Sequence, residues 1–495
     1  MTKENAGILV RLAKWFDARL GLTYPLLRPV PRYAVNPFYW LGALTAVAFV
    51  IQGVTGMIMM LYYVPSPAEA FPSTQYIFQQ VYYGSFLETV HLYTAYAMIM
   101  LAFMHMMRGY LVSVHKKPRE IMWVVGMAMG FVTLGFGFTG YLLPWTVVSK
   151  SATDVGIGMI DALPAQISSF VSFLIVGAGG DATELLRFYD LHVVVLPAVL
   201  LVLLTVKMYM LETHGISGPV TGKALEQRTD KLVPIFPDVT LYLLELAALF
   251  GSAMLLISVI FPLNLPPAYT PELAAQYTPQ PDWYFLWIYQ ILKISIFEGA
   301  GLPIALSLVT LVFVMLFLLP FVDKGETRRI RDRPKFVTLG LILVGELLVL
   351  AYWGLITPGQ VIPTSEAVLV LGGTAVLISI SSLLIYRFLD QGRGGGRTTR
   401  KSIFLRSSRS WTGLTFVLLI AVGSLGIGAS VDNTVNLILN GGSMTSLLHL
   451  GLSVTLLGFA VLGTMYFLYR LELATGSVKR RIHAFEFGWR THESR

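Results

Sequence analysis

Apolar residues dominate ten blocks of the chain, at 40–63, 89–112, 121–143, 189–212, 239–262, 302–322, 336–356, 366–387, 411–430 and 446–469. Several exceed the ~18 residues a helix needs to cross a hydrocarbon core about 30 Å thick. Polar residues are confined to the stretches between. This pattern predicts an all-α polytopic membrane protein with ten transmembrane helices.

The polar stretches alternate in charge. Residues 1–39 carry Lys3, Arg11, Lys14, Arg19, Arg28 and Arg32, whereas 64–88 carry no Lys or Arg. Lys116, Lys117 and Arg119 follow the second block, but only Lys150 and Arg187 lie in 144–188. Lys223, Arg228 and Lys231 follow the fourth block, and only Lys293 lies in the long stretch before 301. Lys324, Arg328, Arg329, Arg331, Arg333 and Lys335 follow the sixth, and 357–365 carry none. The eighth block ends in a basic, Gly-containing linker, Arg393–Arg409, and the tail after 470 is basic again. Every even-numbered crossing thus ends in a basic segment. By the positive-inside rule both termini lie in the cytoplasm, and the protein is a multi-pass protein of the cell membrane.

Composition narrows the chemistry. Of 495 residues 55% are apolar and 13% charged, too little charge to cover a soluble protein of this size. There is no cysteine, which excludes disulfides, Cys-held zinc, iron–sulfur ligation and covalent haem attachment through Cys. A metal must be held by His, Met, Lys or a carboxylate. The net charge of +8 is explained by topology, and no nucleic acid is expected as a partner. Residues 1–39 read as a basic amphipathic segment, not as a cleavable signal peptide.

Ionisable residues inside membrane spans are costly and usually functional. The second block holds His91 and His105, fourteen residues apart. That is ~21 Å along a helix and close to four full turns, so both lie on one face. Two haems stacked across a bilayer need that arrangement. His192 in the fourth block lies at the depth of His91. Gly42 and Gly56 in the first block repeat the fourteen-residue spacing, as do Gly126 and Gly140 in the third. A porphyrin plane approaches a backbone most closely where no Cβ intervenes. Small-residue helix packing is the competing account of each glycine, and helix–helix hydrogen bonding that of each histidine. The repetition of one spacing favours haem.

These residues belong to a larger pattern. Gln52-Gly53-Val54-Thr55-Gly56, His91 with His105-Met106-Met107-Arg108-Gly109, and Gly140-Tyr141-Leu142-Leu143-Pro144-Trp145 resemble signatures of the cytochrome b family of quinol-oxidising bc-type complexes. Gly215-Ile216-Ser217-Gly218-Pro219 is similar to the segment after the fourth helix in the chloroplast and cyanobacterial branch. Pro281-Asp282-Trp283-Tyr284 resembles the family's outer quinol-site box. The resemblance runs from about residue 30 to 356 and on towards 389. It implies a cytoplasmic N-terminal segment (1–39), a four-helix dihaem bundle (40–220), and a second helical half with the quinol box (221–389). A basic linker and two extra helices (390–495) go beyond the family's usual eight.

The resemblance further implies two haems, haem b by default with a haem a variant possible, and a quinone/quinol substrate. Quinol would be oxidised at an outer pocket built from Pro281, Asp282, Tyr284 and Tyr141. One electron would pass to a Rieske iron–sulfur protein. The other would cross from a haem on His91 and His192 to one on His105 and a fourth ligand. Arg108 would neutralise a haem propionate, and Asp230 would serve an inner quinone pocket, with His214 a weaker candidate there. Partners would be the Rieske protein and cytochrome c-like or terminal oxidase subunits in a dimer or supercomplex. The rival readings are a dihaem membrane anchor of a dehydrogenase and a transporter with a histidine relay.

Three positions depart from the family pattern. Aligned on Gly215–Pro219, the fourth ligand falls at Lys207, fifteen residues after His192. Lysine binds iron only as the free amine, the form that a low-dielectric site and metal binding favour. A snorkelling Lys207, or a thioether from Met208 or Met210, are the alternatives. Asp282 replaces the family's Glu and is one methylene shorter. Glu88 stands where an Arg usually pairs with a propionate.

Overall fold

The computed structural model describes residues 29–177, 180–218, 232–325 and 327–391. Asp230, most of the N-terminal segment, the basic linker and the two expected spans after 410 lie outside the described residues.

Inside a bilayer every backbone amide must be satisfied by the chain itself, so the apolar blocks form helices. In chain order the α-helices are α1 Leu41–Met60, α2 Ala70–Gln80, α3 Gly84–Leu111, α4 Glu120–Leu142, α5 Val147–Asp161, α6 Ala165–Ile175 and α7 Asp181–Asp190. They continue with α8 Leu196–His214, α9 Thr240–Ile260, α10 Pro271–Ala274, α11 Leu286–Leu292, α12 Leu302–Val322, α13 Pro334–Ile356 and α14 Thr364–Gln391. Eight helical stretches among the described residues are long and apolar enough to span a membrane. They coincide with the first eight expected blocks. Two short antiparallel strands, β1 Pro29–Pro31 and β2 Leu232–Pro234, pair Val30 with Val233.

Three boundaries differ from the pattern reading. The second span begins at Gly84 rather than 89, because left-handed Tyr83 (φ 59°) makes the turn that launches the helix. The stretch 144–188, read as a loop, holds α5, α6 and α7. Thr146 and Ser149 start α5 with a reciprocal capping box. The fourth span is continuous from Asp181 to His214, but Leu191–Val195 is wound as a π-helix. Pro197 lacks the N–H that would bond the Val193 carbonyl, and Leu196 N–H bonds Leu191 instead.

Side chains on the spans' outer faces are apolar and exposed, as in Val202 (64%), Tyr209 (71%) and Leu369 (75%), which suits lipid as solvent. The largest buried cluster runs from Leu41 and Ala48 on α1 through Tyr93 and Tyr96 on α3 to Phe250 and Ile257 on α9 and Tyr284. It joins the first four spans to the second half.

The basic segments meet on one face. Lys116 Nζ donates to the carbonyls of Gly325 (2.6 Å) and Thr327 (2.7 Å) and pairs with Asp323 at 3.0 Å. His115 Nε2 bonds Asp323 at 3.0 Å, Arg333 pairs with Asp323 and donates to Ser113, and Arg328 donates to Ser217. These groups do more than orient the chain: they tie the second span's exit to the sixth. On the opposite face Thr146 bridges Ala268, and Ile294 bridges Ile362.

Candidate functional site

The four donors of the pattern reading project into the bundle of α1, α3, α4 and α8. Near one end, His91 on α3 and His192 in the π segment face each other with ring centres 6.3 Å apart. Two imidazoles on one metal ion, at nitrogen–metal distances of about 2.0–2.1 Å as in zinc sites, have ring centres about 6 Å apart.

Their tautomers follow from two threonines. Thr55 Oγ1 donates its single proton to the Ile51 carbonyl at 2.7 Å. Its 2.8 Å contact with His91 Nδ1 therefore has the imidazole as donor. Thr139 repeats the device, donating to Gly135 O at 2.8 Å and accepting from His192 Nδ1 at 3.2 Å. In both rings Nδ1 carries the proton and Nε2 keeps its lone pair, the form that binds a metal.

Toward the basic face stand His105 and Lys207, which lie within electrostatic range of each other. His105 Nδ1 is buried with no hydrogen-bond partner among the described residues. Lys207 does not snorkel away: a Cβ on Gly126 would lie 2.9 Å from its Nζ. Met208 faces outward, 53% exposed.

The glycines match the donors one to one. A Cβ on Gly56 would lie 3.3 Å from His91 Cε1, and one on Gly42 would lie 3.1 Å from His105 Cε1. Gly126 backs Lys207, and a Cβ on Gly140 would collide with the His192 ring. The pattern reading assigned these glycines to the approach of a porphyrin plane. Here each also makes room for a ligating side chain. The donors come in pairs, since no group of three or more His, Asp or Glu converges among the described residues. Paired donors with free lone pairs, in cradles that a Cβ would fill, suit a planar group that supplies its own equatorial ligands.

A second constellation lies on the face opposite the basic one. Pro281, Asp282 and Tyr284 are buried, Asp282 to 3% exposure. The Tyr96 hydroxyl donates to Asp282 Oδ1 at 2.8 Å and approaches Oδ2 at 3.1 Å. Tyr284 also hydrogen-bonds the carboxyl, and Tyr141 feels its charge while its own hydroxyl is buried without a partner among the described residues. Burial pushes the Asp282 carboxyl up to about 6, against the opposing pull of hydrogen bonds from Tyr96, the Trp283 backbone and Tyr284. The same burial holds the Tyr284 phenol well above its ordinary range. Tyr284 can lie flat here because α4 has Gly137, where a Cβ would sit 2.9 Å from its ring.

The remaining predicted residues lie elsewhere. Arg108 stacks 4.0 Å over the Tyr39 ring. Glu88 keeps Oε2 buried with no hydrogen-bond partner among the described residues. His214 is exposed, and its carbonyl accepts from Arg119 at 2.9 Å. Thr55, Thr139 and Tyr96 were missed. Each threonine immediately precedes a glycine of the motif (Thr55-Gly56, Thr139-Gly140), a signal that was available. Nothing in the spacing of Tyr96 points to Asp282.

Comparison with known proteins places the chain as a whole. The family model described as "Cytochrome b/b6/petB" matches residues 28–215, and "Cytochrome b(C-terminal)/b6/petD" matches 272–372. A "Cytochrome bc complex cytochrome b subunit" of Chlorobaculum thiosulfatiphilum is 33% identical over 349 residues, 69% of this chain and 80% of that one. A "Cytochrome b" of Sulfolobus acidocaldarius is 29% identical over 460 residues, covering 87% of this chain and 80% of that protein. A solved chain titled "Hyperthermophilic respiratory Complex III" superposes with a TM-score of 0.62 at 26% identity, covering 77% of this chain and 100% of the other. The chain belongs to the cytochrome b family, with its N-terminal and C-terminal halves fused in one polypeptide.

Proposed function

We propose that this chain is the quinol-oxidising cytochrome b of a bc-type respiratory complex, with the basic face turned to the cytoplasm. His91 and His192 hold one haem near the outer face; His105 and Lys207 hold a second near the inner face. Haem supplies a one-electron iron couple at each depth. The free Nε2 atoms of His91 and His192 and the glycine cradles support this assignment.

Quinol binds beside Pro281–Tyr284 and Tyr141. Oxidation to the quinone releases two protons to the outer side, and Asp282 is the general base for one of them: its carboxylate takes it from a quinol hydroxyl as charge develops there. The buried phenols around it exclude water, so the proton leaves by way of the acid. Electrons part between an external Rieske-type iron–sulfur partner and the transmembrane path. Arg108, near the inner face, neutralises a propionate. Asp230 serves inner quinone reduction.

The observation that carries the reading is a buried carboxyl hydrogen-bonded by phenols, one of them on the helix that carries His91, whose ring faces His192 at a separation that suits one metal ion. Asp282→Asn tests it in the purified complex. Quinol oxidation falls by about 10²–10⁴-fold, while the reduced-minus-oxidised visible spectrum is unchanged. A colourless complex, or full activity in that variant, overturns the reading.

A further inference from the structure

The short acid of the quinol box has a donor from another helix. We propose that Tyr96 is a positioning residue for the outer site: its hydroxyl holds the Asp282 carboxylate in place and sets where that group titrates. The proposal rests on the reading of Asp282 as the proton acceptor.

Asp282 reaches one methylene less far than the Glu usual in the resembling box. A shorter acid needs a longer donor to meet it, and Tyr96 on α3 provides one. It contacts both carboxylate oxygens, at 2.8 and 3.1 Å, across 186 residues of sequence. The Tyr96 ring is locked in turn by Trp283, edge-on at 6.2 Å, and by Tyr284 at 6.3 Å. Its helix is the one that carries His91, five residues earlier, so the donor shares a rigid element with that histidine.

The groups facing the carboxyl are all phenols: Tyr96 from α3, Tyr141 from α4, and Tyr277 and Tyr284 from its own loop. No ion pair involves Asp282 among the described residues. With no cation to stabilise the ionised form, the donated hydrogen bonds do so. A hydrogen bond to a charged group is worth enough to move a titration by about one pH unit. Removing the Tyr96 hydroxyl leaves its ring in place and one donor fewer on the carboxylate, so the group holds its proton to higher pH.

The test uses the intact complex with a soluble quinol analogue. In Tyr96→Phe the acid limb of the kcat–pH profile moves up by about one unit, and KM is unchanged. The infrared titration of the Asp282 carboxyl band, identified by its loss in Asp282→Asn, moves by the same amount. Asp282→Glu carries the carboxyl past the phenol and produces a similar upward move, and adding Tyr96→Phe to it changes nothing further. An Asp282 band that titrates alike with and without the Tyr96 hydroxyl overturns the proposal, as do additive shifts in the double variant. Should Asp282→Asn oxidise quinol at the full rate, the reading of the site fails, while the infrared titration still reports on the Tyr96 link.

Discussion

Thr55 and Thr139 decide which nitrogen of their histidines stays bare. Each hydroxyl gives its proton to its own helix, one turn back, and accepts from Nδ1. Such a second-sphere acceptor makes the imidazole a stronger donor and favours the oxidised metal. Thr55→Val therefore raises the midpoint potential of the haem proposed on His91 and His192 by about 20–60 mV, the equivalent of one ordinary hydrogen bond. Thr139→Val raises the same one, and potentiometric titration reads both. If the two variants moved different haems, the pairing of His91 with His192 would be wrong. Lys207 offers a comparable test at the other depth. Low-temperature EPR of Lys207→Ala changes the signal of the haem proposed on His105 and leaves the other as it was. An unchanged spectrum removes Lys207 from the ligand set.

At the scale of the element, the fourth span depends on a proline. Pro197 cannot bond the Val193 carbonyl, and the chain takes a π turn over Leu191–Val195. The extra residue in that turn rotates everything before it relative to α8, including His192. Lys207 and His192 both reach the bundle interior although their fifteen-residue spacing is one longer than the four turns separating His91 and His105. The π turn absorbs that residue. Pro197→Ala restores the missing donor and favours a regular helix, which turns His192 away from His91. The expected result is loss of one of the two proposed haems, measured as the haem-to-protein ratio with the pyridine haemochrome assay. Retention of both would show that the Thr139 and Phe136 contacts hold His192 without help from the backbone.

The whole molecule is held together on its basic face by a buried charge cluster. Asp323 is 3% exposed and meets His115, Lys116 and Arg333. Burial acts to raise its carboxyl, but the hydrogen bonds from His115 and Lys116 and the Arg333 charge hold it below the usual range. Burial pushes the His115 imidazole down to about 4, against the pull of Asp323. Both groups bind protons less readily folded than unfolded, so stability is lost as pH falls. For His115 the window runs from its ordinary value of 6.5 to about 4. Melting followed in detergent falls on acidification across that window, and His115→Gln flattens the dependence. Asp323→Asn, which leaves buried cations without their partner, costs about 3–5 kcal/mol at neutral pH. A variant melting like the native chain would mean that the carbonyls of Gly325 and Thr327 suffice for Lys116.

The first eight spans, the helical class and the two-depth histidine pattern were legible in the residues alone. Transfer from water to lipid is a property of each residue, and a helix converts sequence interval directly into depth and facing. His91, His105, Gly42, Gly56, Gly126 and Gly140 were found by that arithmetic. The Tyr96–Asp282 bond, the π turn at His192 and the Asp323 cluster were not. Each depends on which faces of separate helices meet, and contacts spanning 186 or 208 residues leave no periodicity along the chain. The basic residues Lys116 and Arg333 mark sidedness through charge alone, whereas their burial against Asp323 is decided only when the two halves pack. Sequence determined which of the described segments are long and apolar enough to cross a bilayer; tertiary structure decided which side chains share a site, because side-chain pairing is a property of packed surfaces and not of position along the chain.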